Sequence, residues 1–320
     1  MQKIEWKVDK VHDSHVHYRS REPLEHFVSL LDQASVDKAN ILGGRDASCV
    51  DRKRAYPGRL YVFGMLTHEA EKVEAGDGEY LVGQVDTIMG WGCDGLKMMA
   101  GKPQRRREWM PLDIDHDYFT PLWTKCEADQ VPITIHQADP INWWDKDREK
   151  SYHDLPPQEH FHQQAINVME RHPNLRMNFA HFLYLSPQLD RLGDLFGRFP
   201  QMRVDLALGD EWLYYCSDDP DKSREFFITW ADRIMYGTDT SDHNSPELAW
   251  AKAENIRRMF ETDQTFHNLR HVVMGREPVP ESNGRVELVG MDLPLEVEAK
   301  VMATNFEEFA GAEPRPVPEG

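Results

Sequence analysis

The sequence is poor in cysteine, has no excess of positive charge and contains no long apolar run. Its four cysteines, Cys49, Cys93, Cys126 and Cys216, are widely scattered, which excludes the paired spacing of a zinc knuckle or a disulfide framework. The formal net charge of −18 disfavours a nucleic-acid partner, because proteins that bind phosphate backbones present basic faces. We therefore expect a small-molecule partner and a reducing, cytoplasmic location.

No segment approaches the roughly 18 apolar residues that a membrane span needs, and MQKIEWKVDK at the N-terminus lacks an apolar signal core. We expect a soluble, unprocessed chain with no membrane partner. Hydrophobic residues make up 40% of the sequence, enough for one large domain or two smaller ones in 320 residues.

Short apolar runs alternate with segments of helical periodicity along the first three quarters of the chain. The eight runs lie at residues 11–18, 38–44, 60–67, 94–99, 131–138, 175–182, 202–208 and 233–239. Strands that alternate with helices predict a parallel sheet, and eight of them predict a closed (β/α)8 barrel, an α/β fold. A doubly wound open sheet is the rival fold, but no GxGxxG motif follows any of the runs.

The rest of the chain is interpreted as part of the same single domain, residues 1–320. Residues 263–294 are expected to form an irregular arm, with REPVPESNG at its centre. The amphipathic segment 295–311 predicts a helix that packs against the barrel, and residues 312–320 are expected to be a frayed tail.

The first apolar run, VHDSHVHY, carries two histidines, His15 and His17. Strand side chains alternate with period two, so both imidazoles point to one face, where they could hold a metal ion such as zinc. Zinc usually takes three or four ligands, so the pair is incomplete by itself. A buried or edge histidine pair is the alternative interpretation.

Further chemistry-bearing side chains stand where other runs end: Lys97 at the fourth, His136 at the fifth, His181 at the sixth and Asp239 at the eighth. In a barrel the carboxyl ends of all strands meet at one rim, where catalytic groups lie. A lone histidine at a strand end is more often structural than functional. The coincidence across five strand ends predicts a site at that rim.

These segments resemble the amidohydrolase superfamily. DSHVH, IHQAD, ERHPNLRMNFAHF, FGRFPQMRVDLAL, RIMYGTD and VMATNFEEFAG carry the resemblance, which spans nearly the whole chain. They look most like the amidohydrolase-related branch that includes aminocarboxymuconate semialdehyde decarboxylase and pyrone dicarboxylate lactonase. The resemblance implies one divalent metal, with zinc expected and manganese or iron as alternatives.

The resemblance also implies roles for individual residues. His15, His17, His136 and Asp239 match the metal ligands, and His181 matches a histidine that contacts the substrate or the attacking water. A bound dication lowers the pKa of its water to near 7, so Asp239 is the expected proton acceptor, and His181 would polarise a carbonyl or stabilise an oxyanion. Lys97 has two interpretations: a carboxylated bridge between two metals, or a substrate-facing or ion-paired lysine, which this branch favours.

Loop residues suggest what the substrate is. Arg19 and Arg45 lie close to strand ends, and guanidinium groups bind carboxylates through two parallel hydrogen bonds, so we expect an acidic substrate. Trp143 and Trp144 could wall a cyclic substrate or serve subunit contacts. With the arm, they make a homodimer reasonable.

The turn after the sixth run reads HFLYLSPQL, where decarboxylases of the branch tend to carry a glycine-rich or GE-containing turn. We therefore expect hydrolysis of an ester, lactone or amide bond in a small carboxylate-bearing molecule. One alternative is nonoxidative decarboxylation of an aromatic or muconate-like acid. A second is a metal-free or noncatalytic barrel that binds a small molecule.

Overall fold

A computed structural model describes residues 2–108, 110–148, 151–207, 210–275, 282 and 284–319. Its main sheet has nine parallel strands: β1 (His12–His17), β2 (Lys38–Gly44), β3 (Leu60–Met65), β4 (Gly95–Met98), β5 (Ile133–Ile135), β6 (Met177–Phe179), β7 (Met202–Asp205), β8 (Ile234–Met235) and β9 (Thr240–Ser241). The helices between and after them are α1 (Leu24–Gln33), α2 (Asp51–Ala55), α3 (Ala70–Glu74), α4 (Glu79–Gly90), α5 (Pro103–Glu108), α6 (Thr120–Ala128), α7 (Gln158–Arg171), α8 (Leu189–Arg198), α9 (Glu211–Asp218), α10 (Pro220–Thr229) and α11 (Pro246–Glu261).

One stretch of chain, residues 234–241, closes the sheet into a barrel. Its first part, β8, pairs with β7, and its second part, β9, pairs with β1 at the other end of the strand order. Between them, Ser14 N donates to the carbonyl of Tyr236 over 2.9 Å. The predicted (β/α)8 barrel is thereby confirmed, with its eighth strand in two parts; Asp239, just before the second part, has a left-handed φ of 52°.

The helices pack their apolar faces on the outside of the sheet. In α1, Phe27, Leu30 and Leu31 are buried, each exposed by 2% or less. Full burial of such a side chain contributes about 1.5 to 3 kcal/mol. None of the described helices is long and apolar enough to cross a membrane.

Much of the described part of the arm is ordered, unlike the irregular segment that was predicted. Strand β10 (Thr265–His267) pairs antiparallel with β11 (Glu287–Val289), and helix α12 (Leu269–Met274) lies between them. Residues 276–281 and 283 of the arm lie outside the described residues. The pairing joins segments about twenty residues apart, a separation over which local periodicity carries no signal.

The C-terminal segment packs against the barrel. Helix α13 (Leu295–Ala299) continues through a π-helical turn into α14 (Asn305–Ala310), close to the predicted 295–311. Asn305 Nδ2 donates to the carbonyls of Ala231 and Ile234, at 2.6 Å each. The tail beyond it was predicted to be frayed. It is held instead, because Arg315 N donates to the buried carboxylate of Asp94 over 2.6 Å.

Candidate metal centre

The six residues singled out at strand ends line one pocket of about 690 Å³ at the carboxyl rim of the barrel. They are His15, His17, Lys97, His136, His181 and Asp239. A pocket of this size is typical of small-molecule sites. The parallel arrangement of the strands brings together groups that are up to 224 positions apart in the chain.

Three of them form a group that could hold a metal ion. One ligand atom each from His15, His17 and Asp239 lies within 4.8 Å of the others, and no further group of this kind occurs among the described residues. His17 Nε2 is 3.1 Å from Asp239 Oδ1, and His15 Nε2 is 4.0 Å from it. The two-residue period of β1 places both imidazoles on one face of the strand. Asp239 lies next to them because it directly precedes β9, which pairs with β1.

The hydrogen bonds of the two rings determine which nitrogen faces Asp239. His15 Nδ1 donates to the carboxylate of Asp205 over 2.9 Å, and His17 Nδ1 donates to the carbonyl of Leu42 over 3.1 Å. Both partners can only accept, so Nδ1 carries the proton and Nε2 keeps its lone pair when the ring is neutral. Lone pairs aimed at a carboxylate oxygen repel it unless a cation or a proton lies between them. The donor set therefore fits a bound cation, and its nitrogen and oxygen atoms suit zinc or manganese.

Asp205 was missed by the sequence analysis, although it ends the seventh strand. Its carboxylate is fully buried and also accepts from Asn178 Nδ2 at 2.8 Å and from the backbone N–H of His181 at 3.0 Å and Ala207 at 3.1 Å. Burial opposes its ionisation, but the His15 ring and these donors hold the pKa of Asp205 below its usual value. The available signal was an acid within the mainly apolar run MRVDLAL.

Asp239 is held in an uncommon conformation. Its backbone N–H donates to the carbonyl of His15 at 2.9 Å, and its own carbonyl accepts from the buried Lys252 Nζ at 2.6 Å. Burial opposes ionisation, yet the imidazoles of His17 and His15 and the ammonium group of Lys252 beside it hold the pKa of Asp239 well below its usual value. Asp239 is therefore a carboxylate at neutral pH.

His181 begins a turn of four consecutive non-glycine residues with positive φ, between 52° and 58°, ending at Tyr184. A left-handed conformation costs roughly 1 to 2 kcal/mol per residue. Complete burial of Phe182 and Leu183 offsets this strain, as does a hydrogen bond from His162 Nε2 to the carbonyl of Leu183. Glycine-rich turns reach the same conformation without strain, so the missing glycines do not mean a different turn.

The His181 ring is neutral and presents a lone pair to the pocket. Its Nδ1 donates to the carbonyl of Ala207 at 3.1 Å, which leaves Nε2 as an acceptor. Burial lowers the pKa of His181 to about 4. The ring lies beside those of His15 and His136, with centroids 5.1 and 4.8 Å away.

His136 lines the pocket but is not a member of the metal-binding group described above. Its Nε2 donates to Asp139 Oδ1 at 2.9 Å, and the other Asp139 oxygen accepts from the Tyr152 hydroxyl at 3.0 Å. This leaves Nδ1 as the lone-pair nitrogen of the ring. Burial lowers the pKa of His136 well below its usual value, so the ring is neutral. Its role as a fourth ligand stays a prediction.

Lys97 is 1% exposed, and no carboxylate of the described residues lies within 4 Å of its ammonium group. Burial lowers the pKa of Lys97 to about 8. A buried lysine that faces a pocket without a partner can bind an acidic ligand there. The ion-paired interpretation of Lys97 finds no partner in the described part of the chain.

The predicted substrate-contacting residues divide into two groups. Arg19 and Arg45 line the pocket. Trp144 packs against Tyr152 and donates from Nε1 to the carbonyl of Pro156, so it supports its own loop. Neither Trp143 nor Trp144 is among the described lining residues of this pocket.

Comparison with known proteins places this geometry in context. The sequence model of a family described as Amidohydrolase matches residues 31–305. No curated protein sequence matches the chain. Among solved structures, 2,6-dihydroxybenzoate decarboxylase from Rhizobium is 12% identical with a TM-score of 0.58, covering 94% of this chain and 98% of that chain.

Two more decarboxylases are similar in structure. The 5-carboxyvanillate decarboxylase from Sphingomonas paucimobilis is 15% identical, with a TM-score of 0.54 over 88% of this chain and 81% of that one. A dihydroxybenzoic acid decarboxylase from Polaromonas sp. JS666, with bound manganese and the inhibitor 2-nitroresorcinol, is 13% identical, with a TM-score of 0.57 over 94% and 97%. At such identities the similarity shows a common fold.

Proposed function

The chain belongs to the amidohydrolase family, and from this premise we propose that it is a metal-dependent carboxy-lyase that removes CO2 from an aromatic or muconate-like acid. Membership makes it an enzyme of the amidohydrolase superfamily. The observation that carries the proposal is the group of His15, His17 and Asp239 in a pocket that is rich in cationic side chains. Such a pocket suits a negatively charged substrate.

Decarboxylation replaces hydrolysis as the favoured reaction for a structural reason. The sequence argued against it only through the turn HFLY, which lacks the expected glycines. That turn nevertheless takes a left-handed conformation at each of its residues. The missing glycines are therefore no argument against decarboxylation, and the three similar decarboxylase structures support that reaction.

The metal proposed for this site is a single divalent ion, zinc in the first place. His15, His17 and Asp239 would hold it, with His136 proposed as a fourth ligand. When bound, it would neutralise negative charge on the substrate oxygens. Manganese is the first alternative, because the Polaromonas enzyme was solved with that ion and because the donor atoms suit it, and iron is the second.

The chain's own side chains supply binding and proton transfer. Lys97 and Arg45 would orient the acidic substrate, and the neutral His181 would accept a proton from a substrate hydroxyl. Asp239 rests as a carboxylate, so it can receive this hydroxyl proton and pass it to the carbon that carries the carboxyl group, and a proton from water restores the hydroxyl of the product. The bond to that carboxyl group then breaks, its electron pair returns to the ring, and CO2 leaves. The acceptor state of His181 Nε2 differs from the oxyanion-stabilising role expected from the sequence.

Hydrolysis of an ester, lactone or amide is the second candidate. Asp239 and His181 are both proton acceptors that face the same pocket, so they could also deprotonate a water molecule. A homodimer is proposed as the assembly, on the sequence argument alone.

The test is a product assay on zinc-loaded and manganese-loaded protein. Hydroxybenzoic acids and carboxyvanillate would be supplied beside aryl esters and lactones, and each acid would be followed by chromatography together with CO2 release. We expect decarboxylation that is lost with chelator and restored by metal. Asp239→Asn should lower the rate at least about 100-fold, the scale of a general acid–base group. Asp46→Asn, in the same pocket, should change it little.

Other outcomes would overturn the proposal. Turnover of esters or lactones alone would establish the hydrolase. No turnover, with binding that does not depend on metal, would establish a noncatalytic barrel.

A further inference from the structure

Two of the four cysteines lie in contact although they are far apart in the sequence. Cys49 is in a 3-10 turn (Ala47–Val50) between β2 and α2, and Cys93 comes shortly before β4. Their Sγ atoms are 3.6 Å apart across 44 positions of the chain, and both residues are free thiols. The scattered spacing of the cysteines in the sequence therefore hides a dithiol.

Two glycines of the sheet leave space for this pair. A Cβ atom on Gly44 of β2 would lie 2.5 Å from Cys49 Sγ, and a Cβ atom on Gly64 of β3 would lie 3.4 Å from Cys93 Sγ. A larger residue at position 44 would push the Cys49 thiol away. A disulfide bond joins sulfur atoms about 2.05 Å apart, so the two thiols must approach by roughly 1.5 Å to form one. Cys49 lies in a turn outside the sheet, where such an approach displaces no strand.

The two thiols differ in their access to the pocket of the metal centre. Cys49 lines that pocket beside Arg45 and Arg52, whereas Cys93 is fully buried and is not among the described lining residues. An oxidant that enters from the pocket therefore meets Cys49 first. Since Cys49 is only 2% exposed, that oxidant must be small, and hydrogen peroxide, which is close to water in size, meets this requirement.

The two thiols also differ in acidity. When Cys49 is a thiolate, the S–H group of Cys93 donates to it. This contact, together with the positive charges of Arg52 and Lys53, lowers the pKa of Cys49 although burial opposes the change. The same contact and burial raise the pKa of Cys93. Because the thiolate is the reactive form of cysteine, Cys49 is the nucleophile and Cys93 its partner.

We propose that Cys49 and Cys93 are a modification site that hydrogen peroxide closes to a disulfide bond. The Cys49 thiolate attacks one peroxide oxygen, the O–O bond breaks and hydroxide leaves, so that Cys49 becomes a sulfenic acid. The Cys93 sulfur atom then attacks the Cys49 sulfur atom, the S–O bond breaks, and the oxygen leaves as water with the Cys93 proton. The hydroxide and the proton that Cys49 released form a second water. Two thiols thus lose two electrons, which reduce one peroxide, and an added dithiol reverses the bond by exchange.

The bond acts on the pocket through the segment that carries Cys49. Its neighbours that line the pocket are Arg45, Asp46, Ser48 and Arg52. Joining Cys49 to Cys93 ties this segment to the chain that enters β4 and shifts cationic side chains of the pocket wall. Disulfide bonds in a reducing compartment are usually transient and redox-sensing, so a pair at the pocket wall suits a reversible control of the site.

Peroxide treatment followed by peptide mass mapping tests this. The protein as purified would be exposed to rising peroxide concentrations while circular dichroism follows its fold. We expect the loss of two of the four thiols, a peptide pair that joins Cys49 to Cys93, and full recovery with dithiothreitol. Cys126 and Cys216 should stay reduced, because burial raises the pKa of each thiol and neither is among the described lining residues of the pocket. Amide hydrogen exchange over residues 45–52 should slow in the disulfide form.

Variants separate the roles of the two thiols. Cys93→Ala should hold oxidised Cys49 as a sulfenic acid, which dimedone labels. Cys49→Ala should leave Cys93 unlabelled. Cys126→Ala, the matched control that removes another buried thiol, should form the disulfide as the native protein does.

Any of four results would rule out this modification site. They are a pair that stays reduced at every peroxide concentration at which the fold persists, oxidation of Cys126 and Cys216 to the same extent, dimedone label on Cys93 in Cys49→Ala, and unchanged exchange over residues 45–52 in the disulfide form. Mapping of the native protein decides the first two even if a variant fails to fold. None of these readouts uses turnover, so the disulfide and the proposed decarboxylation can fail separately.

Discussion

The conservative substitution Asp205→Asn tests whether the buried carboxylate controls the metal-binding nitrogen of His15. In the native protein one Asp205 oxygen accepts from the backbone N–H groups of His181 and Ala207, and the other from His15 Nδ1 and Asn178 Nδ2. Asparagine has one acceptor oxygen. If that oxygen stays with the backbone donors, the new amide NH2 faces two further donors.

The His15 ring can relieve that conflict by moving its proton from Nδ1 to Nε2. The nitrogen that faces Asp239 would then carry a proton and could not bind a metal. Loss of such a supporting partner typically weakens metal binding 10- to 100-fold, which corresponds to about 1.4 to 2.7 kcal/mol. The unsatisfied donors should also lower the free energy of unfolding by about 1 to 3 kcal/mol.

The assay is competition for zinc between the protein and a chromophoric chelator, together with urea unfolding. Asp94→Asn is the matched control. It alters another buried carboxylate, which pairs with Lys53 at 2.8 Å and accepts from Val62 N at 2.8 Å, away from the metal-binding group. It should destabilise the fold and leave zinc affinity unchanged. Unchanged zinc affinity in Asp205→Asn, or an equal loss in both variants, would refute the reasoning.

Two more outcomes follow from buried groups. Lys252→Met should weaken zinc binding about ten-fold in the same competition assay. The reason is that Lys252 Nζ donates to the carbonyl of Asp239 at 2.6 Å and so holds Asp239 in its left-handed conformation. A zinc affinity equal to that of the native protein would contradict this. Burial lowers the pKa of His162 to about 4, whereas an unfolded histidine has a pKa near 6.5, so the unfolded chain binds a proton that the folded chain excludes between these pH values. Stability should therefore fall as pH falls through this window, by up to about 3 kcal/mol from this group, and His162→Gln should flatten the decline in urea unfolding between pH 7.5 and 4.5. An unaltered decline would be evidence against it.

The barrel and its rim were predictable because they depend on local periodicity. Alternation in β1 predicted that His15 and His17 share a face, and the structure brings both within ligand distance of Asp239. The run boundaries also predicted that Lys97 and His181 would meet at one rim. The resemblance to the amidohydrolase superfamily is likewise confirmed by the family match.

Other features depend on contacts that periodicity does not describe. An acid within MRVDLAL does not reveal that Asp205 lies 2.9 Å from His15 across the barrel. Proximity to a strand end likewise does not reveal that Arg52, seven residues beyond Arg45, stacks its guanidinium on the Tyr18 ring.

What the sequence by itself determined is the alternation of strands and helices, the order of the histidines and the excess of acid over base. Each of these is a property of neighbouring residues or of composition. Only the tertiary structure decided which nitrogen of each imidazole faces the pocket, and that Phe182 and Leu183 could carry a left-handed turn without glycine. Those outcomes depend on free energies of burial and hydrogen bonding between strands distant in the chain, which exist only once the barrel has closed.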